Sequence, residues 1–188
     1  MASSHETAVN QVAAAVRTFF LQREPFRVFH GSTNSTRPAH DGRSVDISGL
    51  NNILEINEQS RTAVVEPNVP RDKMVAAKLA RGFVSPVLMG FYRITIGGGL
   101  TGSAGESSSF RYGYFDQTVK SIEVVLATRD VVQASPSENP DLSHGAAGTA
   151  GTLGIVTKLE LSLIPAKRFV KLEYPRYNNI GETIMAVH

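Results

Sequence analysis

The sequence predicts an α+β domain of two lobes, and three observations predict it. Residues 1–82 read as a helix, four short strands and a second helix. Residues 83–177 carry alternating apolar and polar runs around a turn, the pattern of a mainly antiparallel sheet with flanking helices. Each half also contains one loop dense in glycine, serine and threonine: "HGSTNST" at residues 30–36 and "TIGGGLTGSAGESSS" at residues 95–109. Residues 178–188, "NNIGETIMAVH", begin what reads as a helix of a following segment.

The elements follow in order. Val9, Val12, Val16, Phe19 and Phe20 recur at helical spacing, so Thr7 to Leu21 reads as an amphipathic helix that Pro25 closes. "FRVFH" is a short strand running into the first polar loop. "SVDIS" is a second strand, and "ILEIN" and "RTAVVEP" are two more joined at Glu58–Ser60. Pro70 opens a helix that Gly82 ends. In the second half, "QTVKSIEVVLATRDVVQAS" is a hairpin turning at Arg129–Asp130. "PSENPDLSHGAAG" is a short helix with Ser137 or Asn139 as cap and Pro140 at its first position. "GTLGIVTKLELSLIP" is a long strand with Ile155, Leu159, Leu161 and Leu163 on one face, and "RFVKLEY" reads as another.

Composition narrows the function classes. The chain has 188 residues, is 41% hydrophobic and 19% charged, and carries a formal net charge of +2. No basic run argues for a nucleic-acid partner. The absence of cysteine excludes disulfides, zinc–cysteine sites, iron–sulfur clusters and thiol nucleophiles. No segment approaches the ~20 apolar residues of a membrane span. "MASSHET" lacks a signal-peptide pattern. These features read as a cytoplasmic or otherwise intracellular protein.

The stretch from Ile94 to Asp116 holds six glycines in 23 residues. Gly97 to Gly102 satisfies G-x-G-x-x-G, but three consecutive glycines meet that pattern cheaply, and "SAGESSSFRYG" cannot continue as the long helix a Rossmann unit needs. The Walker pattern fails because Ser103 stands where lysine is required. A free linker is excluded by the aromatic anchors Phe91, Tyr92, Phe110, Tyr112, Tyr114 and Phe115. What remains is a nest: glycines let backbone N–H groups converge on an anion, and hydroxyls add donors. "HGSTNST" would supply a second such loop, and the two could clamp a dinucleotide.

These loops, with "FHGSTNST", "VEPNVP", "TIGGGLTGSAGESSSFRYG", "VVLATRD" and "GTLGIVTKLELSLIP", resemble the FAD-binding (PCMH-type) domain of the vanillyl-alcohol oxidase / p-cresol methylhydroxylase flavoprotein superfamily. The resemblance runs from about Ala8 to Tyr177. Within the superfamily, "GESSSFRYG", "SPSENPDL", "GTLGIV" and "IPAKRFVKL" look most like the delta-24 sterol reductases. The resemblance implies a bilobed domain holding FAD between its lobes, acting by hydride transfer at the flavin on a hydrophobic substrate, with NADPH as reductant. Carried over by motif, Gly31, Ser32, Thr33, Asn34 and Ser35 form the first pyrophosphate loop. Thr95, Ile96, Gly97, Gly98, Gly99, Gly102, Ser103 and Ser107 form the second, with Gly97 and Gly98 closest to the phosphates. Tyr112 and Gly113 lie near the flavin end, and Gly151, Gly154, Ile155 and Val156 pass along the cofactor through their backbone.

Two departures from the family pattern shape the expectations. Thr33 stands where some relatives place a flavin-tethering histidine, so the FAD is expected to be non-covalent. Full-length members continue into a substrate-binding cap, expected to follow His188, so no catalytic residue is assigned. An uncovered cofactor cleft would favour a homo-oligomer. The alternative is a truncated flavin-fold protein without redox activity, serving as a binding module or non-redox cyclase. Other residues carry less. His144 suits a helix end. His5, His30 and His40 lack metal-ligand spacing, so no metal is expected. Arg93 and Arg111 could offset phosphate charge, and Asp116 or Glu106 could bond cofactor hydroxyls. Ser107, Ser108 and Ser109 have no partnered histidine to make them nucleophiles.

Overall fold

The computed structural model describes residues 3–31 and 43–187. Its first element is α1, Ser4–Gln22, three residues longer at its start than the apolar spacing suggests. A capping box explains the extension: Glu6 N–H donates to Ser3 Oγ, and Ser3 N–H donates to Glu6 Oε2 at 2.7 Å. Strands β1 (Arg27–Phe29) and β2 (Ser44–Asp46) form a two-stranded parallel sheet. Strands β3 (Ile53–Asn57) and β4 (Thr62–Val65) form the expected hairpin, and α2 follows at Arg71–Leu79.

The second half opens with β5 (Phe83–Val84), then α3 (Ile96–Thr101) and α4 (Ser109–Tyr112). The hairpin β6 (Val119–Val125) and β7 (Val131–Ala134) turns at Arg129, whose φ is +77°. Then come α5 (Pro140–Gly145), β8 (Ile155–Ser162), β9 (Ile164–Pro165) and α6 (Ile180–Val187). Asn139 sits at the cap position of α5, yet its amide turns away to donate to the Gln133 carbonyl at 2.7 Å. "RFVKLEY" is not a strand. Phe169, Val170, Leu172 and Tyr174 are exposed, and no edge among the described residues pairs with them. Its β-forming side chains had no partner to select that state.

The main sheet has five antiparallel strands in the order β3-β4-β8-β6-β7. Strands from both sides of residue 82 therefore share one sheet. β8 is central, which is why its burial alternates imperfectly. Two cores result. The larger includes Val65, Met74, Met89, Ile96, Leu100, Phe115, Leu159 and Leu161. The smaller packs Val9, Val12 and Val16 of α1 against Val45, Ile47, Leu50, Val125 and Ile155.

A buried polar cluster joins α1 to the sheet. His5 Nδ1 lies 2.8 Å from Glu66 Oε1, and its Nε2 lies 2.9 Å from Glu123 Oε1. Glu123 also accepts from Thr157 Oγ1 and from Lys158 Nζ, each at 2.8 Å. Burial alone would raise the Glu123 carboxyl, but the hydrogen bonds from Lys158, His5 and Thr157 outweigh it and bring it down to about 2. Because the folded value lies below the ordinary 4.5, this stabilisation is present above pH 4.5 and is lost as pH falls toward 2. Melting temperature measured across that acid window should fall in the native protein and fall less steeply in Glu123→Gln.

Candidate functional site

The site is organised by a buried crossing. Residues 66–69 follow β4 and, with Val65 at its end, are all buried. Toward one side, Asn68 N–H donates to the Leu50 carbonyl at 2.9 Å, and Asn68 Nδ2 donates to the Ile47 carbonyl at 2.8 Å. That turn, just after β2, also carries Ser48, whose Cβ is 3.8 Å from where a Cβ on Gly31 would lie. Gly31 itself is left-handed, φ +65°, at the C-terminal end of β1. Toward the other side, the carbonyls of Pro67 and Val69 accept from Gly97 N–H (2.8 Å) and Ile96 N–H (3.0 Å). One crossing thus spans the base of the first candidate loop and the start of the second. Ser32, Thr33, Asn34 and Ser35 lie outside the described residues.

The glycine stretch contains a short helix. Thr95 caps α3, its Oγ1 accepting from Gly98 N–H at 3.1 Å, while Gly99 N–H donates to the Thr95 carbonyl at 2.9 Å. The first four N–H groups of α3, those of Gly97 and Gly98 among them, are therefore all taken within the protein. These glycines answer close packing instead. A Cβ on Gly97 would lie 2.7 Å from Pro67 Cβ, and one on Gly99 would lie 2.2 Å from Met89 Sδ. Sequence reasoning could have found the cap, because threonine directly precedes the run.

Donors left open lie further along. Among the described residues, the N–H groups of Gly105 and Ser107 have no intramolecular partner, and both residues are exposed. Their loop is held on both flanks. Glu106 Oε1 accepts from Gly90 N–H at 2.5 Å, Ser108 Oγ donates to the Pro86 carbonyl at 2.9 Å, and Glu106 N–H donates to Ser109 Oγ at 2.9 Å. Glu106 is thus a loop clamp. Arg111 lies over the Tyr112 ring at 6.0 Å. Gly113 takes φ +73° with Gln117 packed where a Cβ would sit.

The third segment docks on α3. Gly148 and Ala150 N–H groups donate to the carbonyls of Leu100 (3.2 Å) and Thr101 (3.0 Å). A Cβ on Gly148 would meet Ser103 Oγ at 2.8 Å. Gly102 and Ser103 close α3 and so stand beside the segment that leads to Gly151, whose φ is +82°. Gly154 lies close on β6, where a Cβ would come within 2.9 Å of the Val125 carbonyl oxygen. Ile155 and Val156 are buried in the smaller and larger cores, with their backbones paired to Val125 and Val124.

Two observations test the fit to a dinucleotide. The free N–H groups of Gly105 and Ser107 suit an anion. His30 Nδ1, beside Gly31, is buried and has no hydrogen-bond partner among the described residues, an atom that a bound polar group would satisfy. Among those residues there is no metal-ligand cluster and no helix long and apolar enough to cross a membrane.

Comparison with known proteins identifies the family. Delta(24)-sterol reductase of Homo sapiens is 38% identical over 125 residues, covering 66% of this chain and 24% of that protein. Glycolate oxidase subunit GlcD of Bacillus subtilis is 32% identical over 158 residues, covering 81% of this chain and 34% of that one. The chain therefore spans a quarter to a third of these relatives. The crystal structure of 6-hydroxy-D-nicotine oxidase from Arthrobacter nicotinovorans superposes with a TM-score of 0.74 at 23% identity, over 84% of this chain and 35% of that one, and shows the same mixed, mainly antiparallel fold. The family described as "FAD binding domain" matches residues 7–135, and the chain belongs to this family of flavin oxidoreductase domains.

Proposed function

We propose that the chain holds FAD non-covalently between the Gly31–Ser35 loop and the loop after α3, as the cofactor domain of a flavin-dependent oxidoreductase. The observation that carries this is the pair of exposed, unpartnered N–H groups at Gly105 and Ser107 on a loop fixed from both sides. In this reading they take the pyrophosphate, with Ser103 and Ser107 hydroxyls beside them. His30 Nδ1 meets a polar group of the cofactor. Tyr112 and Gly113 stand at the flavin end, and Gly151 and Gly154 allow close backbone approach.

When bound, FAD supplies hydride transfer. This chain binds and orients it, and offers apolar surface beside it through Phe91, Tyr92, Phe110 and Tyr114, which are exposed near the loop. That surface suits a hydrophobic substrate, a sterol-like molecule by likeness to the sterol reductases, with NADPH as reductant by the same likeness.

Flavin fluorescence titration with FAD tests the reading. Ser107→Pro removes the backbone donor and should weaken FAD binding roughly tenfold or more, the weight of one hydrogen bond to a charged group. Ser107→Ala keeps the backbone donor and loses only the hydroxyl, so it should weaken binding much less than the proline variant does. Equal affinity in a folded proline variant would remove Ser107 from the site. Flavin that stays with the denatured chain would overturn the non-covalent attachment.

A further inference from the structure

Two short stretches flank the loop of Gly105 and Ser107 with the same chemistry. Phe91-Tyr92-Arg93 and Phe110-Arg111-Tyr112-Gly113-Tyr114 set aromatic rings beside arginine, and residues 90–93 and 109–114 contain no acid. One side chain brings the two stretches together. Glu106 Oε1 accepts from Gly90 N–H at 2.5 Å, one residue before Phe91, and Glu106 N–H donates to Ser109 Oγ at 2.9 Å, one residue before Phe110. The Tyr114 ring packs over Gly105, where a Cβ would come within 2.7 Å of Cε1. Arg71 reaches the carbonyls of Gly90 and Phe91 at 3.4 Å each and lies over the Tyr92 ring at 5.6 Å. The backbone beneath these rings is therefore held in place.

The rings themselves are largely free. Phe91 is 78% exposed, Phe110 68%, Tyr92 65% and Tyr114 59%. A cluster of exposed rings of this kind marks an interaction surface, and charge decides what it fits. Arg93 and Arg111 are exposed beside the rings. The nearby acids Asp72, Glu106 and Asp116 are half-buried, Glu106 is committed to Gly90, and Asp116 accepts from Gln117. The exposed charge is positive. Rings that enter a headgroup region, beside arginines whose heads stay with anionic phosphates, are what a bilayer interface selects. A symmetric contact with a second copy would instead set these arginines against one another. We propose that residues 91–93 and 110–114 dock the protein on an anionic lipid bilayer, the rings entering the headgroup region and Arg93 and Arg111 holding lipid phosphates. The loop of Gly105 and Ser107 then lies at the bilayer surface, so an apolar substrate reaches it from lipid rather than from water. The docking itself does not depend on FAD.

The experiment is co-sedimentation with vesicles of phosphatidylcholine alone and of phosphatidylcholine with about 30% phosphatidylserine, each at about 0.1 M and about 0.5 M salt. At low salt the native protein should bind the anionic vesicles about tenfold or more tighter than the neutral ones, and high salt should shrink the difference. Arg93→Gln and Arg111→Gln should each weaken binding to anionic vesicles about fivefold and leave binding to neutral ones unchanged. Phe91→Ser and Phe110→Ser should each weaken it about tenfold. Phe20→Ser, which removes a ring 51% exposed on α1, should bind as the native protein does. Sedimentation with neither vesicle, or losses in Phe20→Ser equal to those in Phe91→Ser, overturns the proposal. So do lipid-free dimers that Phe91→Ser and Phe110→Ser dissociate while vesicles draw down no native protein; the surface then belongs to a second copy. Vesicle binding should be the same with and without added FAD, so failed FAD uptake leaves the docking result standing, and failed docking leaves the cofactor reading standing.

Discussion

Lys78→Met is expected to stabilise the protein by about 2 kcal/mol at neutral pH. Lys78 is 1% exposed, in the last turn of α2, and its ammonium donates to Ser85 Oγ. Burial lowers its pKa from 10.5 to about 8. Each unit of displacement corresponds to about 1.36 kcal/mol, so the burial penalty is about 3 kcal/mol before the lost Ser85 contact is subtracted. Both folded and unfolded chains are protonated below about pH 8, so the full penalty stands there. Between 8 and 10.5 the unfolded chain binds the proton more readily than the folded one, so native stability rises with pH and the advantage of methionine shrinks. Methionine matches the stem in length and flexibility, and the loss is one partner for Ser85 Oγ, worth about 1 kcal/mol. Urea unfolding at pH 7 and at pH 10 measures both the gain and its pH dependence. Equal stability of the two proteins at both values would mean that the ammonium reaches water in the native state.

The elements that local pattern could specify were legible, and those that depend on distant partners were not. The two antiparallel hairpins, β3–β4 and β6–β7, follow from alternation and turn residues. Insertion of β8 between β4 and β6 joins strands about a hundred residues apart, and nothing in either strand announces it. The same distance hid the role of His5, whose partners lie 61 and 118 residues away, although Ser3-x-x-Glu6 already marked a helix start that places His5 in its first turn. "RFVKLEY" failed in the opposite way, since a strong local preference met no sheet edge. In the glycine stretch, composition argued for a loop, yet Ile96–Thr101, which holds three of its glycines, is helical. Tertiary packing overrode propensity there, because Pro67 and Met89 approach closer than any Cβ at 97 or 99 would allow. The cofactor reading came from motif likeness, and the structure moved the available donors from Gly97 and Gly98 to Gly105 and Ser107.

That relocation makes Gly97→Val a discriminating change. A Cβ at 97 would lie 2.7 Å from Pro67 Cβ, 3.1 Å from its carbonyl oxygen and 3.2 Å from its Cα, so backbone and a ring must move rather than a flexible side-chain tip. Gly97 is buried and its N–H holds that same carbonyl. The expected cost is about 2–3 kcal/mol, the upper part of the overpacking range, or a melting temperature lowered by roughly 5–10 °C in a chain of this size. Gly98→Ala meets only Thr95 Oγ1 at 3.0 Å and Ile94 Cγ1 at 3.7 Å, and Gly49→Ala meets nothing within 4 Å, so both should cost far less. FAD affinity should follow the same order, with Gly97→Val weakest, because the substitution separates α3 from the crossing that aligns the loops. If Gly98→Ala instead lost FAD while melting as the native protein does, the phosphates would lie against α3 itself, and the site would have to be drawn around Gly98 rather than Gly105 and Ser107.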